Sequence, residues 1–115
     1  MISRGELYLA RFPYSDLRGS KRRPICILST DEYNAGPDVL AAMITSNRLR
    51  LEKPGLGDVR LDEWQAEGLL HPSVLRAAKL RDLERFLLEG PIGKLSQADQ
   101  EAVDRALTEV LGLPN

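Results

Sequence analysis

Arg23, set before Pro24 at the head of an apolar run, and Thr45-Ser46, set at the foot of a second run, have the types and spacing to act on a phosphodiester. A guanidinium is always charged and presents a planar fork of donors that matches phosphate oxygens. Pro24 biases Arg23 toward extended backbone, which would mount the cation on a rigid strand start. Thr45 and Ser46 should stand where their strand leaves the core, and hydroxyls there can donate to a phosphate oxygen. The plainer alternatives are a surface arginine with no task and hydroxyls bonded to nearby backbone. RNA can be cut without a metal when its own 2′-OH attacks the adjacent phosphorus. The protein must then align that hydroxyl and stabilise the added negative charge. An arginine and a threonine suit the second task, but arginine is a poor general base.

Other chemistries find little support. The lone Cys26 lies within Ile25-Cys26-Ile27-Leu28 and reads as a small core residue, since a reactive thiol would need a basic partner. The single histidine, His71, lies between Leu70 and Pro72 and reads as structural or surface, and one histidine excludes a two-histidine acid–base pair within a chain. No Cys/His/carboxylate cluster has zinc spacing, and neither a phosphate-cradling glycine loop nor a G-x-S-x-G step occurs. The expectation is therefore no metal and no cofactor.

The chain has 115 residues, the length of one domain spanning 1–115. A lone cysteine cannot build a disulfide framework, which points to a reducing cytoplasm. No run is long and apolar enough for a membrane span, and the first residues are too polar for a signal peptide. Net charge is −1 overall, yet residues 1–30 carry six basic and two acidic side chains, a net of +4. Arg18, Lys21, Arg22 and Arg23 crowd into six residues with no acid among them. Such a patch can bind phosphates on a near-neutral protein, or it is simply a solvated loop.

The elements that must position these residues are mostly short strands. Glu6–Phe12 reads as the first strand, ended by Pro13, with a polar loop over 13–22. Pro24 is expected to start the second strand, whose apolar Ile25–Leu28 should be buried on both faces. Residues 30–37 break the pattern with at most one turn of helix, and 38–46 form the next buried strand. Residues 47–57 read as loop, 58–61 as a short strand and 74–80 as another, and Gly90-Pro91-Ile92-Gly93 as a turn or brief edge strand. Trp64 reads as a packing residue rather than a base-stacking platform. Ser96 caps the clearest helix: Val103, Ala106, Leu107, Val110 and Leu111 share one face, and Gly112 stops it. Strands followed by one helix make an α+β pattern with a small, strongly bent sheet or partly closed barrel.

The order and spacing of these pieces resemble the MazF/PemK family of toxin endoribonucleases. The resemblance is carried by Arg4-Gly5-Glu6-Leu7-Tyr8-Leu9, by Gly19-Ser20-Lys21-Arg22-Arg23-Pro24 and the strand ending Leu28-Ser29, and by Ile44-Thr45-Ser46. Further matches are the late strand Ser73–Leu83 and the helix entry Gly93-Lys94-Leu95-Ser96. It implies a CcdB/PemK-like, SH3-like barrel of bent antiparallel sheet with a C-terminal helix, assembled as a homodimer. It also implies sequence-specific, metal-independent cutting of single-stranded RNA to a 2′,3′-cyclic phosphate, and a cognate antitoxin that blocks the groove. By position Arg23 and Thr45 would be catalytic. Arg18, Ser20, Lys21, Arg22, Ser46, Arg76 and Lys79 would contact RNA, and residues 13–22 would form a mobile loop over it. Some relatives carry a glutamate ahead of the Arg-Pro step; Ser20-Lys21-Arg22 has none, so proton transfer has no assigned residue. Many have a glutamine where Lys79 stands, a position that helps read bases.

Two other functions fit the same frame. A non-enzymatic inhibitor of DNA gyrase, resembling CcdB, would bind through C-terminal residues, but Gly112-Leu113-Pro114-Asn115 lacks the Trp-Gly-Ile-like ending those proteins use. A lapsed member would only bind its antitoxin.

Overall fold

The two apolar runs become the inner strands of a six-stranded antiparallel sheet. The structure, a computed structural model, describes the backbone of residues 1–13 and 20–114, with all of their side chains except those of 12, 13, 20 and 21. Strands β1 (Glu6–Pro13), β2 (Ser20–Ile27), β3 (Asp38–Thr45), β4 (Asp58–Arg60), β5 (Val74–Glu84) and β6 (Leu88–Lys94) lie in the order β4-β5-β3-β2-β1-β6. Helix α1 (Asp31–Asn34) joins β2 to β3, α2 (Arg48–Glu52) joins β3 to β4, and α3 (Gln97–Leu111) closes the chain. The α+β pattern with a terminal helix is thus the observed fold.

Strand alternation sorts the core into two layers. Leu7, Cys26, Ala42, Ile44 and Leu75 face α3 and the segment 61–73, where Val103, Leu61 and Leu69 meet them. Ala10, Ile25, Ile27, Val39, Ala41, Met43 and Leu83 fill the other face, closed by Ile2, Tyr8, Leu87 and Leu88. Both faces of β2 and β3 are covered, which is why their sequences are almost unbroken apolar runs. Trp64 packs against the first layer, as its sequence context suggested.

Bulges bend the sheet. The β1–β6 register shifts twice, and in β5 residues 77–79 stand between the partners of Ala42 and Met43. There the Ala77 N–H turns away from β3 to donate to the Gly57 carbonyl, 2.7 Å away.

Several expectations change. β2 begins four residues before Pro24, at Ser20, because residues 20–26 pair with β1. Residues 48–52 are helix rather than loop: the Asn47 side chain accepts from the N–H groups of Leu49 and Arg50 and caps the turn. β5 runs on to Glu84 because β3 pairs with it beyond the bulge. Helix α3 keeps its Ser96 cap, bonded by the Asp99 N–H at 3.1 Å, and its left-handed Gly112 stop at φ 68°. Its buried face lies slightly differently: Ala102 packs inward beside Val103, while Leu111 is exposed. No helix among the described residues is long and apolar enough to cross a membrane.

Candidate active site

A proline opens the cleft in which the proposed catalytic residues meet. β2 and β3 pair at Ile25–Met43, Cys26–Ala42 and Ile27–Ala41. The Leu28 N–H donates to the Leu40 carbonyl at 2.8 Å, so bonds toward β3 recur at every second residue back along β2. After Cys26 the next donor would be residue 24. Proline has no N–H, so the ladder stops and the two strands part. Carried two residues further, the same register sets Arg23 across from Thr45. A separation of twenty-two residues in sequence thus becomes juxtaposition at one end of the sheet.

A cleft of about 610 Å³ lies at this point. The strands supply Leu9, Arg22, Arg23, Pro24, Ile44, Thr45, Ser46 and Ile92, and the segment before β5 supplies Gly68, Leu69, Leu70, His71 and Ser73. Among the described residues its lining is largely apolar, with two guanidiniums, hydroxyls and one imidazole as polar groups. That combination suits an anionic phosphodiester whose sugars and bases rest on apolar walls.

Arg23 is half-buried and pairs through its backbone with Ala10 of β1. Thr45 is buried, and its Oγ1 accepts from the Asn47 N–H at 3.1 Å. This is the local backbone bond weighed as an alternative to function, and it is compatible with function. It uses an oxygen lone pair and leaves the hydroxyl hydrogen to be donated. Ser46 is exposed at the rim. Arg22 is exposed, and its Nε lies 2.8 Å from Glu89 Oε1, while Arg11 reaches Glu89 Oε2 at 3.3 Å. The acid on β6 thus holds two cations of neighbouring strands beside the cleft.

The structure brings Arg22, Arg23, Thr45 and Ser46 together and leaves two others apart. Arg76 turns to Asp58, Nε to Oδ1 at 3.1 Å, and the Asp58 side chain is almost wholly buried. Asp58 needs that partner, because a buried carboxylate without one is costly. Lys79 is exposed in the β5 bulge and does not line the cleft. Arg18 and the side chains of Ser20 and Lys21 lie outside the described residues.

His71 is exposed, in keeping with a surface residue, and it also lines the cleft. Its segment is tightly held. Gly68 adopts φ 94°, and a Cβ there would press on the Ile92 carbonyl. A Cβ on Gly93 would overlap the Glu67 carbonyl oxygen. The Ser73 hydroxyl donates to the His71 carbonyl at 2.7 Å, and Leu61 N–H bonds to the Ser73 carbonyl at 3.0 Å. No local signal in the sequence announces that this turn faces Arg23; only the pairing of Val74 with Thr45 brings it there.

Behind the segment, Glu67 is fully buried and its Oε2 accepts from the Ser96 N–H at 2.8 Å. Burial pushes its carboxyl up to about 7, helped by the neighbouring Asp99 carboxylate. Asp99 in turn accepts from the Asp62 and Glu63 N–H groups at 3.3 and 3.2 Å. The carboxyl pair therefore ties the cleft segment to the first turn of α3. Cys26 is buried in the first core layer and burial pushes its thiol up, which suits packing and not nucleophilic attack.

Comparison with known proteins places this sheet and cleft in a family. Residues 3–111 match the family model of the PemK-like, MazF-like toxin of type II toxin-antitoxin systems. Endoribonuclease MazF6 of Mycobacterium tuberculosis is 34% identical over 98% of this chain and 99% of its own length. Endoribonuclease MazF of Staphylococcus epidermidis is 30% identical over 100% and 95%. Among solved structures, a mycobacterial endoribonuclease in complex with its cognate antitoxin superimposes with a TM-score of 0.80 at 23% identity, covering 100% of this chain and 99% of that one. A MazE–MazF complex from Deinococcus radiodurans gives 0.77 at 23% identity, covering 98% of each. The chain belongs to the PemK/MazF family of type II toxin–antitoxin toxins.

Proposed function

We propose that this protein is an endoribonuclease toxin that cuts single-stranded RNA in the cleft between β2 and β3, without a metal. The observation that carries the reading is the end of the β2–β3 ladder at Pro24, which puts Arg23 across from Thr45 in one cleft. Curated relatives across nearly the whole chain are endoribonucleases, which supports the same activity.

In the reaction the RNA phosphate lies over Thr45, held by the Arg23 guanidinium and the Thr45 hydroxyl. The 2′-OH attacks in line, the new bond to phosphorus closes a 2′,3′-cyclic phosphate, and the 5′ oxygen leaves. Arg23 and Thr45 stabilise the charge that grows on the non-bridging oxygens. Arg22 and Ser46 hold flanking nucleotides, joined by Arg18, Ser20 and Lys21. The protein works as a homodimer in the cytoplasm, and an antitoxin restrains it by covering the cleft; a mycobacterial endoribonuclease of the same fold is known in complex with its cognate antitoxin.

The test is cleavage of a long single-stranded RNA in excess EDTA, with Arg23→Ala alongside. Wild type should give specific cuts ending in cyclic phosphate. Arg23→Ala should lose ~10²–10³-fold in rate while keeping its fold. Cutting that needs added Mg²⁺, or a folded Arg23→Ala protein of full activity, overturns the mechanism. No cutting by wild type overturns the enzyme reading.

A further inference from the structure

We propose that His71 is the general acid of this cleft, giving its proton to the departing 5′ oxygen of the RNA; the inference rests on the ribonuclease reading above. The reaction has two proton transfers, and Arg23 and Thr45 account for neither. The other described residues lining the cleft are aliphatic, hydroxyl or guanidinium-bearing, and His71 carries the lining's imidazole. Imidazole is the side chain most often used to pass protons in such steps.

Placement supports the role. β5 enters the sheet at Val74, directly paired with Thr45, and His71 lies three residues upstream of that pair. The Ser73 hydroxyl bonds back to the His71 carbonyl at 2.7 Å and fixes the turn. Arg23 on β2 and His71 on the segment entering β5 line the same cleft as Thr45. A phosphate held over Thr45 is thus flanked by a cation and an imidazole carried on different elements. The segment leading to His71 is pressed against β6 at Gly68 and Gly93, so the backbone that carries it is held close to the sheet. His71 is itself solvent-exposed and bears no load in the core.

In the step proposed, the 2′ oxygen forms its bond to phosphorus and its proton passes to water. The bond from phosphorus to the 5′ oxygen breaks, and that oxygen takes the imidazolium proton. The neutral imidazole then regains a proton from solvent. A primary alkoxide is a poor leaving group, so protonation there relieves the harder part of the reaction.

The experiment compares wild type and His71→Gln on two short RNAs, one ordinary and one with sulfur replacing the 5′ bridging oxygen at the cut site. A thiolate leaves readily and needs no acid. His71→Gln should cut the ordinary RNA ~10²–10³-fold more slowly, yet cut the sulfur-bridged RNA within about fivefold of wild type, the residue of a bypassed acid step. Circular dichroism should show the variant folded. Equal slowing on both RNAs overturns the acid role and makes His71 a binding residue. Unchanged rates overturn any role in the reaction. Failure of wild type to cut the ordinary RNA overturns the ribonuclease reading and this inference with it.

Discussion

Thr45 shows how one side chain serves structure and chemistry together. Its oxygen accepts from the Asn47 N–H, which begins the turn into α2, while its hydrogen remains to be donated into the cleft. Thr45→Val should therefore slow RNA cutting by roughly 10–100-fold, the range for removing one charge-stabilising donor. It should also lower stability by about 1 kcal/mol, because the Asn47 N–H loses its partner. Steady-state cleavage and urea titration would measure the two losses separately. Cys26 makes the contrasting case. It is buried, and its thiol is pushed up by that burial, so iodoacetamide should leave the native protein unlabelled and fully active and should label it only after denaturation. Rapid labelling of native protein with loss of activity would contradict its role as a packing residue.

Pro24 acts at the scale of the element. With alanine at this position the β2–β3 ladder could extend by one bond, from residue 24 N–H to the Ile44 carbonyl, and draw Arg23 and Thr45 together across a closed sheet. Pro24→Ala should then slow cleavage several-fold, by about 1 kcal/mol in the barrier, with little change in melting temperature. Hydrogen exchange would show a newly protected amide at residue 24. The segment 61–73 depends instead on the Glu67–Asp99 pair. Glu67 titrates higher in the folded protein, near 7, than in an unfolded chain, near 4.5. Its contribution to stability is fully present below pH 4.5 and is lost as pH rises through about 7. Glu67→Gln keeps an acceptor for Ser96 and offers an N–H to Asp99 without the charge. The variant should be more stable than wild type by ~1–3 kcal/mol at pH 8, with the gap narrowing toward pH 5. Equal stability of the two proteins at pH 8 in denaturant titrations would refute the protonated pair.

The whole molecule is slightly acidic, with a net charge of −1, yet it concentrates positive charge in its first thirty residues. Arg11 and Arg22 already face Glu89, so part of that charge is balanced before any RNA arrives. RNA affinity should consequently depend only modestly on salt. A log–log slope of roughly −2 to −3 corresponds to three or four phosphate contacts on a single strand. Glu89→Gln should tighten binding at low salt and steepen the slope, by releasing both arginines to phosphate. Fluorescence anisotropy across a salt series would read both effects.

Much of this arrangement was legible in the chain. The two apolar runs, the Ser96 cap and the Gly112 stop are local signals, because burial, capping and left-handed backbone depend on residues close in sequence. The Arg-Pro step and the Thr-Ser ending also pointed to phosphate chemistry, since their types say what they can bind. Other features depended on pairings between distant residues. Pro24 looked like a strand start until β1 was seen to pair with the residues before it. The ion pair of Arg76 with Asp58, buried eighteen residues earlier, has no local signal in the sequence. His71 gained its place only because Val74 pairs with Thr45 and two glycine contacts press its segment onto β6. Sequence determined which strands and helix would form and which side chains could grip a phosphate. Tertiary structure alone decided which of those side chains share a cleft, because a strand register brings together residues that no local pattern connects.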